Sequence, residues 1–343
     1  MQHADRHALI DMFLAASGWE GARRVPLAGD ASFRKYERIF LGGKQVVLMD
    51  APPDKEDIRP FMKIAGHLLN AGMSAPQILA SDTTQGLLLL EDLGDGLFAR
   101  ALHKAPGLEE ELYLAAADVL VDLYHQAAHT KYHDVPVYDM KRFLQQVALV
   151  PEWFLPLITG AEQSEALKEE YLDLWRALLA CLPDIRQVLI LYDFHAENLL
   201  WLPEREGARR VGLLDFQDAV MGSPAYDMVS FLEDARRDVA PQTVARIIEY
   251  YLKRTSIPRD DFMLAYAMIG AQRNCRIVGT FARLAVRDGK PHYLNYLPRV
   301  WRHLEHDLKH PLLAPLKAWI DANVPHQWRG ALVLDDTKMR ATV

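Results

Sequence analysis

The 343-residue sequence has two cysteines, Cys181 and Cys275. So few thiols do not suggest a disulfide scaffold or a zinc site, and they fit a reducing compartment. Long apolar runs are lacking too. No stretch approaches the ~20 apolar residues that cross a bilayer. The first apolar run, residues 9–16, is too short and too polar for a secretory signal. Positive charge is in deficit: 39 Lys and Arg stand against 46 Asp and Glu, a formal net charge of −7. Without a basic stripe, neither nucleic acid nor a membrane is an expected partner. There is no internal repeat and no low-complexity linker. Half the residues are hydrophobic and a quarter charged, as in an ordinary cytoplasmic globular protein. The length allows two lobes with separate cores.

What is present concentrates in Leu-Tyr-Asp-Phe-His-Ala-Glu-Asn (191–198) and Leu-Leu-Asp-Phe-Gln-Asp (213–218). Residues 188–190, 199–202 and 211–214 read as short apolar strands, and 203–210 as a turn holding Gly207. Such a hairpin brings Asn198 and Asp215 together at one end, with Asp193 just before them. Phosphoryl transfer needs this set. One carboxylate accepts the proton of an attacking hydroxyl, and a carboxamide oxygen with a second carboxylate holds Mg²⁺ against nucleotide phosphates. Mg²⁺ takes one or two protein carboxylates and fills its shell with phosphate and water oxygens. Asp193 is therefore the candidate base, and Asn198 and Asp215 the candidate metal ligands. His195 fits packing within the loop better than acid–base work.

Gly-Ser-Pro-Ala-Tyr-Asp (222–227) precedes an apolar run and reads as a helix start, with Ser223 as cap and Pro224 in the first helical position. Asp227 then either offsets the helix dipole or braces the loop of Asp193 through backbone amides. Upstream, the pattern predicts a helix over 3–17 closed by Gly18. A hairpin of strands 33–40 and 45–49 follows, turning at Gly42-Gly43. A helix over 57–71, with Asp57 as cap and Gly72 as stop, precedes strands at 76–80 and 87–91. From residue 108 the periodicity is helical: 108–129, 140–150, 163–181, 224–237, 241–254, 260–287 and 297–306. The expected class is α+β: a small β-rich N-lobe over 1–92, a larger, mostly helical C-lobe over 93–330, and a tail over 331–343.

The chain resembles the aminoglycoside phosphotransferase/choline kinase superfamily, with its bilobal protein-kinase-like fold. Within it, the chain is similar to the bacterial N-acetylmuramate/N-acetylglucosamine anomeric kinases of peptidoglycan recycling. The residues carrying that likeness are Gly-Asp-Ala-Ser-Phe-Arg-Lys-Tyr (29–36), Val-Leu-Met-Asp-Ala-Pro-Pro (47–53), Leu-Leu-Glu-Asp-Leu-Gly-Asp (89–95), Leu-Asp-Phe-Gln-Asp-Ala-Val (214–220) and Gln-Arg-Asn-Cys-Arg-Ile-Val-Gly (272–279). The resemblance implies ATP and Mg²⁺ as cofactors and a sugar as acceptor. It places Gly29, Ser32 and Phe33 in a loop over the triphosphate, and Glu91 and Leu93 in a hinge for adenine. Ser32 reads either as a phosphate ligand or as a turn cap. Two departures stand out. The family's catalytic loop commonly begins His-Gly-Asp, here Leu-Tyr-Asp. The third strand usually supplies a Lys to the phosphates, where this chain has Met49 or its apolar neighbours; Arg34 is the substitute cation.

The acceptor is read from helix 260–287. Arg273, Arg276 and Arg283 recur on one broad face, and residues 262–290 hold five Lys and Arg against one Asp. The face is either solvated and ion-paired to Glu233 and Asp234, or it lines the acceptor site, where Arg273 and Arg276 suit a neutral or anionic sugar. Asp218 is either a further candidate for the metal or the sugar, or a plain turn residue. The alternatives are a kinase of another small alcohol, such as an amino alcohol or an aminoglycoside, and a catalytically silent nucleotide-binding regulator.

Overall fold

A computed structural model describes residues 3–27, 33–335 and 338–341. Gly29 and Ser32 lie outside these residues. In chain order the elements are α1 (His3–Ala16), β1 (Arg23–Pro26), β2 (Lys35–Leu41), β3 (Lys44–Asp50), α2 (Arg59–Asn70), β4 (Ile78–Asp82), β5 (Leu87–Leu90), α3 (Phe98–Lys104), α4 (Glu109–Gln126), α5 (Met140–Val147), α6 (Leu155–Thr159) and α7 (Glu165–Leu179). There follow β6 (Val188–Ile190), β7 (Leu199–Trp201), β8 (Val211–Leu213), β9 (Val220–Gly222), α8 (Ala225–Leu232), α9 (Pro241–Thr255), α10 (Arg259–Val286), α11 (Leu297–Asp307), α12 (Ala314–Asn323), β10 (Leu332–Asp335) and β11 (Lys338–Ala341). Residues 331–343, expected as a tail, thus include two paired strands. No helix among the described residues is long and apolar enough to cross a membrane.

The chain forms two compact units, Met1–Val119 with Ala196–Ala219, and Leu120–His195 with Val220–Val343. Residues 93–119 and 196–219 thus belong with the first unit's sheet.

In the first unit five strands run in the order β1-β2-β3-β5-β4. Gly42 and Gly43 both take positive φ, 56° and 77°, which a two-residue turn between right-twisted strands requires. That turn sets the register Leu41↔Lys44. Ile10 and Leu14 of α1 pack on Ile39, Val46, Leu48, Leu87 and Leu89 of the sheet. All four leucines of β5 are buried, as befits an inner strand. In α2, Phe61, Ile64, Ala65 and Leu68 form the buried face. Asp57 is not its N-cap: Ile58 holds that place, and the Asp57 carboxylate accepts from the Arg59 amide at 2.9 Å. Gly72, at φ 75°, follows its end.

In the second unit the 28-residue α10 packs against α5, α8 and α11. The Asn274 amide donates to Glu233 Oε2 at 2.7 Å and to Asp307 Oδ2 at 3.0 Å. Both carboxyl groups are buried. A Cβ on Gly270 would sit 2.7 Å from the Asp307 oxygens, so only glycine lets α11 approach so closely. Burial pushes Glu233 up to about 7 and holds Asp307 well above the usual carboxylate range, with Glu233 adding to the effect. Two such groups on one amide share a proton, since both cannot ionise side by side. The folded chain therefore keeps a proton at Glu233 that the unfolded chain releases above its ordinary 4.5. This contribution to stability is complete below that value and is lost as pH rises through about 7. Glu233→Gln removes it. The stability difference, wild type minus Glu233→Gln, should shift against wild type from about pH 5 to about pH 7.5, by at most ~1.4 kcal/mol per unit. Denaturant melts of both proteins across that range measure it, and parallel profiles would remove the shared proton.

Candidate active site

In the second unit the loop of Asp193 leaves β6 under tension. Tyr192 takes a positive φ of 76°, uncommon for a bulky residue and held only where the surroundings dictate it. Asp227 supplies that hold. Its buried carboxylate accepts from the Leu191 amide at 2.6 Å and the Tyr192 amide at 3.0 Å. Burial pushes Asp227 up to about 7, while the two amides pull it back down. Asp227 thus braces the loop from α8. Ser223 does not cap α8: Pro224 stands at the N-cap, and Ser223 Oγ accepts from the Ala225 amide at 3.4 Å. The helix also ends early, at Leu232, where Glu233 leaves helical geometry and Asp234 caps the Arg236 amide at 2.8 Å.

The Asp193 carboxylate is half-buried, with Arg276 Nη2 3.8 Å from its Oδ1. Arg276 also lies over the Tyr192 ring, 4.6 Å from its centroid. Arg273, one helical turn earlier, is 3% exposed and donates to the Glu233 carbonyl at 3.4 Å. Burial, then the neighbouring Arg276 charge, lowers the Arg273 pKa. His195 is buried, and desolvation holds its imidazole below the usual range. Its Nε2 lies 3.5 Å from Arg236 Nη1.

In the first unit β7 and β8 pair antiparallel from Leu199↔Leu213 to Trp201↔Val211. The Leu214 amide donates to the Asn198 carbonyl at 3.0 Å, so the two strands close where Asn198 and Asp215 stand. Asp215 carries a positive φ of 57°. The next residue, Phe216, is buried and stacks on Phe61 of α2 at 4.9 Å. An aromatic anchor thus fixes the strained carboxylate. Asp215 Oδ1 accepts from Arg34 Nη2 at 2.9 Å and from Gln217 Nε2 at 3.0 Å. Arg34 Nε also faces Glu56 at 3.4 Å. Met49 is fully buried on β3, and among the described residues Arg34 is a cation that reaches Asp215. Asp218 is exposed and belongs to this unit, whereas Arg273 and Arg276 belong to the second. Phe33 is 63% exposed.

The segment after β5 is tied on both sides. Arg38 of β2 grips Asp92 at 2.6 Å and Asp95 at 2.9 Å. The Glu91 amide donates to the Gln77 carbonyl at 2.8 Å, and its carboxylate accepts from Arg205 at 2.7 Å. Leu93 is buried. Sequence reasoning missed Arg38, Arg205 and, in the second unit, Tyr192, Gln146 and Arg142. Only Tyr192 had a local signal, its place immediately before Asp193.

Residues 23–263 match the model of the phosphotransferase enzyme family. An N-acetylmuramate/N-acetylglucosamine kinase of Caulobacter vibrioides is 38% identical over 361 aligned positions, spanning 95% of this chain and 99% of its own. One from Pseudomonas aeruginosa is 36% identical, spanning 87% and 88%. Among solved structures, an ADP-bound aminoglycoside phosphotransferase superposes with a TM-score of 0.61 at 14% identity, over 88% of this chain and 97% of its own. With its five-stranded antiparallel sheet, mostly helical remainder and strand-borne acids, this chain belongs to the phosphotransferase enzyme family and has its protein-kinase-like α+β fold.

Proposed function

We propose that this chain is a cytoplasmic kinase that moves the γ-phosphoryl group of ATP to the anomeric hydroxyl of N-acetylmuramate and N-acetylglucosamine. The observation that carries the reading is the Asp193 loop: a half-buried carboxylate after a strained Tyr192, braced by Asp227 and faced by Arg276. Asp193 takes the acceptor proton as base. The curated relatives named above support the amino-sugar acceptor. Arg276 favours a neutral or anionic sugar over a polycationic aminoglycoside, because a guanidinium repels the latter and fits a carboxylate.

Mg²⁺ suits the donor set at the hairpin end. The Asn198 carboxamide and the Asp215 carboxylate are hard oxygens, and no group of three or more His, Cys, Asp or Glu among the described residues forms a protein-only metal cage. Mg²⁺ takes one or two protein carboxylates and leaves the rest of its shell to phosphates and water. Bound there, Mg²⁺ would neutralise charge on the β- and γ-phosphates. Arg34 steadies both Asp215 and the triphosphate. The segment of Glu91 and Leu93 presents its backbone to adenine, held in place by Arg38 and Arg205.

The test is phosphate transfer from ATP to a panel of N-acetylmuramate, N-acetylglucosamine, choline and an aminoglycoside, with product position read by phosphorus NMR. Both amino sugars should carry phosphate on C1. Phosphate on C6 would reject the anomeric assignment. Transfer to choline or the aminoglycoside alone would reject the acceptor class, and nucleotide binding without any transfer would mark a silent regulator.

A further inference from the structure

Tyr192 is held by a neutral frame within the second unit. The Tyr138 hydroxyl donates to Gln146 Oε1 at 2.5 Å, and the Gln146 amide donates to the Tyr192 hydroxyl. Gln272 of α10 donates to the Tyr138 hydroxyl at 2.8 Å and to Gln146 Oε1 at 3.1 Å. The Tyr192 ring stacks on Tyr226, centroids 5.2 Å apart and planes 15° apart. Two guanidinium groups lie over this frame. Arg142 of α5 is 5.0 Å from the Tyr192 centroid and 5.8 Å from that of Tyr138. Arg276 is 4.6 Å from the Tyr192 centroid. One ring therefore gathers two positive charges into one neighbourhood, immediately beside Asp193.

The two arginines are not equivalent. Arg276 shares its charge with Asp193. Arg142 contacts tyrosine faces, and the Asp139 carboxylate caps its main-chain amide, not its guanidinium. An aromatic face satisfies a cation weakly compared with a carboxylate. It leaves the in-plane N–H fork available, and that fork matches a carboxylate in two parallel hydrogen bonds. We infer that Arg142 and Arg276 form a carboxylate-binding subsite for the acid substituent of an anionic sugar acceptor, with Arg142 as the residue that sets acceptor preference. The inference rests on the amino-sugar reading above. Arg276, facing Asp193, affects every acceptor. Arg142, whose guanidinium faces rings among the described residues, affects the one that carries the charge.

The experiment compares three acceptors in wild type, Arg142→Met and Arg142→Lys: N-acetylmuramate, its uncharged carboxamide analogue, and N-acetylglucosamine. In Arg142→Met, kcat/KM for N-acetylmuramate should fall roughly 10- to 100-fold, mostly through KM, with the other two changed by less than about threefold. Arg142→Lys should recover part of the loss, since it keeps the charge and loses the fork. Equal losses for all three acceptors, or no loss, would overturn the inference while leaving the amino-sugar reading intact. A wild type inactive on all three overturns that reading and the subsite with it. If Arg142→Met does not fold, the ratio of N-acetylmuramate to its carboxamide in Arg142→Lys decides: a lowered ratio supports the subsite and an unchanged one removes it.

Discussion

Asp193→Asn should leave the fold and nucleotide affinity intact and lower turnover by at least ~100-fold, the scale of lost general-base help. Asparagine keeps the volume and one acceptor oxygen, so the packing of the loop survives. Its brace does not depend on the Asp193 side chain, because Asp227 holds the Leu191 and Tyr192 amides. What disappears is the negative charge that takes the proton and faces Arg276 at 3.8 Å. The measurements are kcat for the amino sugars, the nucleotide Kd and the melting temperature. A variant that turns over near the wild-type rate would show that Asp193 is not the base.

Asp215→Ala should abolish Mg²⁺-dependent turnover, a loss of roughly 1000-fold or more, since metal charge neutralisation contributes several kcal/mol to the transition state. Two further effects enter. Alanine fits the positive φ of 57° less well than aspartate does. It also takes away the Arg34 partner at 2.9 Å, leaving Glu56 at 3.4 Å. Asp215→Asn separates these effects from the charge, because asparagine tolerates left-handed backbone and keeps a hydrogen-bond acceptor. The expected pattern is loss of activity in both variants and loss of melting temperature chiefly in Asp215→Ala. Full activity of either at ordinary Mg²⁺ would remove Asp215 from the site.

Much of this was legible in the sequence because it is local. Asp193, Asn198 and Asp215 fall within a short stretch whose apolar triplets and Gly207 turn predict the β7–β8 hairpin, and that hairpin forms. Of the two roles open to Asp227, the bracing through backbone amides is present, and the helix periods from 108 onward place α4, α5, α7, α9, α10 and α11 to within a few residues. What escaped is set by tertiary contact. The Arg34 link to Asp215 spans 181 positions. Arg142 sits on an unremarkable helical segment, and nothing in its neighbours points to Tyr192. The helix ends failed where side chains offered better local partners than another helical turn: Asp234 took the Arg236 amide and stopped α8. Arg273 and Arg276 looked alike by spacing, yet packing turned Arg273 to the Glu233 carbonyl and left Arg276 with Asp193. The short α3, α6 and α12 were missed as well.

Four of five consecutive positions on α10 have separate obligations. Gln272 serves the tyrosine frame, Arg273 the end of α8, Asn274 the buried acid pair, and Arg276 the loop of Asp193. Such a segment is a poor place for a lineage to experiment. A change that improves one of these duties shifts a helix on which the other three depend. The first turn of α5 carries a lighter load: its cap, the buried Phe143 and the ring contacts of Arg142. New acceptor preferences within this family should therefore arise on α5 first, with α10 held nearly constant as the frame against which they are selected.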